Sequence, residues 1–202
     1  MANTSSKVAR EILEGAKEKT QYTSWIDHSI SVGDSAGRIA MALESKGVKV
    51  DVDLAIALGY IHDIGKATGG PHGHAVRGYE YLNKLGYKDI ANVCLTHSYL
   101  NNDIYCTAGG EPDEDKLETL GEFIKTHEYT LEEKIINLCD LMCPPAKTVY
   151  TLDKRLIDLI IRRGAHSNTQ YHVQEAYKLK KYFDDLLGYN LYDLFPEIKD
   201  NL

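Results

Sequence analysis

Apolar residues recur at helical spacing along almost the whole chain. Residues 6–18 predict a short first helix. Trp25, Ile26, Val32, Ala36, Ile39, Ala40 and Leu43 continue the period in a long second helix. Thr23 or Ser24 can cap it, and Gly47 can stop it in a left-handed turn. A third helix is expected from Asp51 or Asp53 through Leu54, Ala55, Leu58, Ile61 and His62, ending at Gly65. A fourth runs from His74 to Leu85 and stops at Gly86, and a fifth covers Lys88 to His97. Thr130 and Glu133 have the spacing of a capping box ahead of a helix that Pro144 and Pro145 close. Two more follow, over 152–163 and 170–187, ended by Gly164 and Gly188. Val, Ile and Thr never alternate with polar residues long enough to predict a sheet, so the fold class is all-α.

Residues 98–129 interrupt this pattern with N-N-D, A-G-G-E-P-D-E-D and few apolar anchors. A stretch of that length between core helices reads as an insertion or lid bordering a site, with a short helix near 115–125, or else as a solvated loop. The length of 202 residues fits a single domain that includes this insertion, with C-terminal helices over 150–202. The segment Y-F-D-D-L-L-G-Y-N-L-Y-D-L-F near the end carries many aromatic and leucine residues. It either docks on the bundle or forms a partner interface, and docking is the expectation. Monomer and homodimer both stay open.

The net charge of −7 argues against stable nucleic-acid binding, which needs a basic face. It leaves room for a small phosphorylated ligand held by a few local cations. No apolar run approaches the roughly 20 residues needed to span a bilayer, and the N-terminus lacks a signal-peptide core. Four cysteines in a chain of this length read as reduced thiols, so a cytoplasmic protein is expected.

The candidate chemistry lies in the histidines. His62 and Asp63 sit together at the end of an apolar helix, in G-Y-I-H-D-I-G-K. A carboxylate there must be paired or metal-bound, because burying it alone costs several kcal/mol. Adjacent helical residues point about 100° apart, so one ion can meet both only near the helix end. The second carboxylate oxygen can then reach another ion. His28 shares an inward face with Trp25 and Val32. Asp140 is isolated inside the apolar run I-I-N-L-C-D-L-M. His97 ends V-C-L-T-H, and His74 opens a helix whose Ala75 and Gly78 allow close packing. His72 competes with His74. Imidazole and carboxylate donors suit iron, manganese, zinc or nickel better than magnesium or calcium.

The order His28, His62-Asp63 within H-D-I-G-K, His74, His97 and Asp140 resembles the HD superfamily of metal-dependent phosphohydrolases. The two extra histidines resemble its two-metal branch, which includes bacterial enzymes that hydrolyse dinucleoside polyphosphates. The resemblance implies a helical HD-domain bundle. It implies one ion held by His28, His62, Asp63 and Asp140, and a second bridged by Asp63 and held by His74 and His97. Iron or manganese is the expected pair. The implied reaction is hydrolysis of a phosphate ester or anhydride in a nucleotide or other small molecule.

Lys66, one turn past His62, reads either as a phosphate ligand or as a solvated helix-end lysine. Arg77 is an anion-binding candidate. Arg162 and Arg163 either face an anionic substrate or end a solvated helix. His127, His166 and His172 read as surface or packing residues, and Cys139 and Cys143 as core. Asp27 and Asp34 read as capping or solvating groups. Two other functions fit the same ligand set: a di-iron oxygenase on this scaffold, and a metal-binding sensor without turnover. No ligand position is missing, which speaks against the sensor.

Overall fold

The computed structural model describes residues 4–20 and 23–201. Helix α1 covers Ser6–Ala16, capped by the Ser5 side chain, and a single 3-10 turn, Lys17–Lys19, follows it. Helix α2 spans Ser24–Ser45. Thr23 stands at its N-cap position without a side-chain capping bond. At its other end Gly47 adopts a left-handed φ of 81°, which spares the chain the Cβ clash any other residue would meet.

Helix α3 covers Val52–Ile61 and starts at Asp51, whose carboxylate accepts from the Leu54 amide at 2.9 Å. It packs against both α1 and α2. The α2–α3 crossing is close because Gly33 and Gly59 meet there. A Cβ on Gly59 would lie 2.5 Å from Gly33 Cα and 2.7 Å from Gly33 N, both backbone atoms that cannot swing aside. Gly59→Ala therefore has to push the two helices apart. We expect it to cost about 1–3 kcal/mol, read as a lowered denaturant midpoint. A midpoint equal to that of the unaltered chain would mean that the crossing tolerates the extra volume.

After a 3-10 turn over Ile64–Ala67, helix α4 runs from His74–Leu85 and ends on Gly86 with a φ of 89°. The helix expected over 88–97 is divided into α5, Lys88–Ala91, and α6, Val93–Thr96. At the break the Leu95 amide turns to Asn92 O at 2.9 Å, a tightened i to i+3 bond. The Thr96 hydroxyl takes the same carbonyl at 3.3 Å. Such local side-chain bonding competes with a continuous helix.

Residues 98–129 hold α7, Glu114–Lys116, a π turn over Leu117–Gly121, and α8, Glu122–Thr126. Despite few apolar positions this stretch builds a small core, in which Tyr99, Ile104, Leu120 and Ile124 meet Leu95 of α6. Helix α9, Leu131–Met142, begins with the capping box of Thr130 and Glu133 and packs on both α2 and α3. Helices α10, Leu152–Arg163, and α11, Thr169–Leu187, close the bundle. The tail docks: Phe183, Leu187, Leu191, Phe195 and Ile198 are buried in the same core as α2, α3 and α9. Lys180 stays buried among them because Asp184 and Asn190 receive its ammonium, at 2.6 and 3.0 Å. Among the described residues there is no strand, and no helix is long and apolar enough to cross a membrane.

Candidate metal centre

Five segments aim polar side chains at one buried point beneath the α2–α3 crossing. Helix α2 brings His28. Helix α3 stops at Ile61, earlier than Gly65, and His62 is its C-cap. Asp63 follows with φ −103° and ψ 8°, near the sparsely populated bridge region where the chain turns sharply. That turn lets neighbouring residues address the same point. Gly65 has a different task from the expected helix stop. A Cβ on it would stand 2.0 Å from His74 O and 2.5 Å from Gly78 N, so its bareness lets the turn after Asp63 lie on the start of α4.

The helix α4 start supplies His74, and the turn after α6 supplies His97. That turn is held by α9. Asn137 Nδ2 donates to Thr96 O at 2.9 Å and to His97 O at 2.8 Å, and buried Glu133 accepts from the Thr96 hydroxyl at 3.0 Å. Glu133, Asn137 and Asp140 follow one another at i, i+4 and i+7, so one stripe of α9 fixes the His97 turn and also delivers Asp140.

Asp63 lies between two groups of donors. Its Oδ2 is 3.6 Å from His28 Nε2 and 3.5 Å from His62 Nε2. Its Oδ1 is 3.1 Å from His74 Nε2 and 3.6 Å from His97 Nε2. Asp140 Oδ1 completes the first group, 2.9 Å from His28 Nε2 and 3.8 Å from His62 Nε2. His28, His62 and Asp140 form one set that could hold an ion, and Asp63, His74 and His97 another. Donors about 2.1 Å from a common ion at roughly 90–109° stand about 3.0–3.4 Å apart, close to these separations.

The protons sharpen this picture. A carbonyl oxygen can only accept, so each imidazole nitrogen facing one must carry the hydrogen. His62 Nδ1 donates to Gly59 O at 2.7 Å, His74 Nδ1 to Pro71 O at 2.6 Å, and His97 Nδ1 to Cys94 O at 3.0 Å. When neutral, these rings therefore point Nε2 lone pairs inward. His74 Nε2 and His97 Nε2 stand 3.1 Å apart, and His62 Nε2 is 3.2 Å from His28 Nε2. Asp63 Oδ1, buried beside them, has no hydrogen-bond partner among the described residues. Lone pairs converging on one another repel unless a proton or a metal cation lies between them, and the donor set fits a pair of metal ions.

Electrostatics point the same way. Burial opposes ionisation of Asp63, but the Lys66 ammonium and the His62 and His74 rings overcome it and hold its carboxyl well below the usual range. Burial likewise opposes ionisation of Asp140, yet the hydrogen bond from His28 and the neighbouring ring charges keep it a carboxylate. Burial, with the charge of His62, pushes His97 down to about 3, which leaves its ring neutral and able to bind a cation at neutral pH. At His62 burial is outweighed by Asp63 and Asp140, which draw a proton to it and would draw a metal cation by the same force.

The other sequence candidates take varied places. Lys66 forms an ion pair with Asp63 Oδ2 and lines a cavity of about 1050 Å³ that opens onto the centre. Arg77 is not among the residues that line the cavity, and its guanidinium holds backbone, with Nη2 on Gly70 O at 2.7 Å, Nε on Gly65 O at 3.3 Å and Nη1 on His72 O. It clamps the loop that leads into α4. His72 lines the cavity while His74 joins the cluster. His127 packs, stacked on Phe123 and bound to Glu133. Cys139 and Cys143 are buried thiols whose protons burial holds firmly, and they belong to neither donor set. Asp34 accepts from the Tyr60 hydroxyl at 2.8 Å, and Asp27 lies 3.5 Å from the Lys147 ammonium.

His172 is buried, which agrees with the packing half of its expected role, and it also lines the cavity, where burial lowers it to about 4. Arg155, absent from the sequence candidates, lines it too, and is 6% exposed. A signal for Arg155 was present. It falls on the apolar face of α10 with Leu152, Leu156 and Leu159, the same kind of isolated charge that marks Asp140.

The HD domain family model matches residues 25–143. An uncharacterised protein of Methanocaldococcus jannaschii is 34% identical over 119 residues, which covers 57% of this chain and 63% of that protein. The chain thus spans less than two thirds of that relative's length. No solved structure matches.

Proposed function

The chain belongs to the HD-domain family, whose members are in general metal-dependent phosphohydrolases, and from that premise we propose that it hydrolyses a phosphate ester or anhydride of a nucleotide or other small phosphorylated molecule. The observation that carries this reading is the convergence of His74 Nε2, His97 Nε2 and Asp63 Oδ1 on one point, beside the set of His28, His62 and Asp140. His28, His62, Asp140 and Asp63 Oδ2 would hold one ion. Asp63 Oδ1, His74 and His97 would hold the other. Iron or manganese suits these nitrogen and oxygen donors, which include no thiolate. When bound, such ions bring water near neutrality in pKa and polarise phosphoryl oxygens.

The protein's own groups supply the rest. The Asn137 and Pro71 contacts orient His97 and His74 so that neither spends entropy on alignment. Lys66 stands between Asp63 and the open cavity, so its ammonium can turn toward a phosphate oxygen while staying within the field of the carboxylate. The cavity also exposes Arg155, Arg162 and Arg163. A cationic wall in a chain of net charge −7 favours an anionic substrate over a neutral one.

The test is a screen of the metal-loaded protein against nucleotides and phosphate esters, read as phosphate release, with oxygen consumption followed in parallel. Phosphate release without oxygen uptake is expected. Oxygen uptake with organic oxidation and no phosphate release would move the chain to the oxygenase reading. Once a substrate is known, Lys66→Ala should keep both ions and lower kcat/KM about ten- to a hundredfold, the worth of one charge-assisted contact. Unchanged kinetics would return Lys66 to a purely structural partner of Asp63.

A further inference from the structure

Helix α10 adds a second polar group to the cavity, outside both donor sets. This helix lies outside the stretch that the HD domain model matches. Arg155 is 6% exposed, and its Nε is buried with no hydrogen-bond partner among the described residues. Its Nη1 binds Asp158 Oδ2 at 2.6 Å. The same carboxylate receives Arg162, through Nε at 3.0 Å and Nη2 at 2.7 Å. One carboxylate thus orients two guanidiniums that both line the cavity, and their combined charge with it stays positive. Arg163 adds a third guanidinium to the same wall. A guanidinium buried among Leu152, Leu156 and Leu159 is costly to keep when part of its donor fork goes unused. An anion that presents two or more oxygens, as a phosphate group does, would satisfy that fork.

We propose that Arg155 and Arg162, held by Asp158, bind a second, non-reacting phosphate of the substrate while its first phosphate lies at the metal centre. The proposal rests on the phosphohydrolase reading and narrows it. The substrate class becomes one with two linked phosphate groups, a phosphoanhydride chain or a bisphosphate, rather than a simple monoester. Lys66 and the donor cluster line the same cavity as the guanidiniums of α10, so one substrate can meet both. His172, which also lines that cavity and is kept neutral by burial, adds no repulsion to either group.

Calorimetric titration of the manganese-loaded protein with orthophosphate, pyrophosphate and tripolyphosphate tests this without requiring turnover. The longer anions should bind the unaltered protein at least about tenfold more tightly than orthophosphate. Arg155→Met should erase that advantage while leaving orthophosphate affinity and metal content as they were. Arg162→Gln, on the exposed side of the pair, should weaken the longer anions about threefold or more, and it remains informative if Arg155→Met fails to fold. Equal losses for all three anions in Arg155→Met, or unchanged binding of the longer anions in Arg162→Gln, would overturn the proposal. If orthophosphate binds the unaltered protein and the longer anions bind no better, this inference fails and the phosphohydrolase reading stands. If none of the anions binds the metal-loaded protein, both fail.

Discussion

Asp63→Ala is expected to abolish turnover, by more than about a thousandfold, and to strip metal from the protein in the same preparation. The expectation comes from the position of one side chain between two donor sets. Oδ2 faces His28 and His62, and Oδ1 faces His74 and His97, so among the described residues of the two donor sets Asp63 faces both sides. Losses of this size accompany removal of a group on which a whole reacting centre depends. The helices should persist, since the core of α2, α3 and α9 is apolar and continuous around the site. Circular dichroism, elemental analysis and kinetics on one sample separate these effects. A variant that keeps its ions and near-normal turnover would remove Asp63 from the centre.

His97→Ala should act on half of the centre. Its Nε2 belongs to the set of Asp63 Oδ1 and His74, and it lies opposite the set of His28, His62 and Asp140. One ion should be lost and one kept. Turnover should fall about a hundred- to a thousandfold, the usual loss when one electrostatic partner of the reacting oxygen is removed. Asp140→Ala is the mirror experiment and should empty the other side. If each variant lost both ions, the two positions would be strongly coupled, and the division between them would have to be abandoned.

Much of this was legible in the residues because burial makes polar groups conspicuous. Asp140 among Ile135, Ile136, Leu138 and Leu141 announces itself, as does the His62-Asp63 pair after an apolar helix. Helix bounds were readable wherever a local device sets them, as the Thr130–Glu133 capping box and Gly86 do. Where tertiary contacts set them, they were not. Helix α3 ends at Ile61 because the chain must turn for Asp63 to face both donor sets, and Gly65 is bare for the sake of His74 O, a contact no local pattern reports. The role of Arg77 is set the same way, since its bonds to the carbonyls of Gly65, Gly70 and His72 join residues that no local pattern pairs. Arg155 was overlooked beside the more visible Arg162 and Arg163, although its register on α10 places it inward.

Asp63, with His28, His62 and Asp140 on one side and His74 and His97 on the other, would hold two ions, and elemental analysis of the gently purified, unaltered protein beside His97→Ala tests this most directly. Close to two transition-metal ions per chain are predicted for the unaltered protein, falling to one in the variant. One ion or fewer in the unaltered protein, with the same content after His97→Ala, would contradict it.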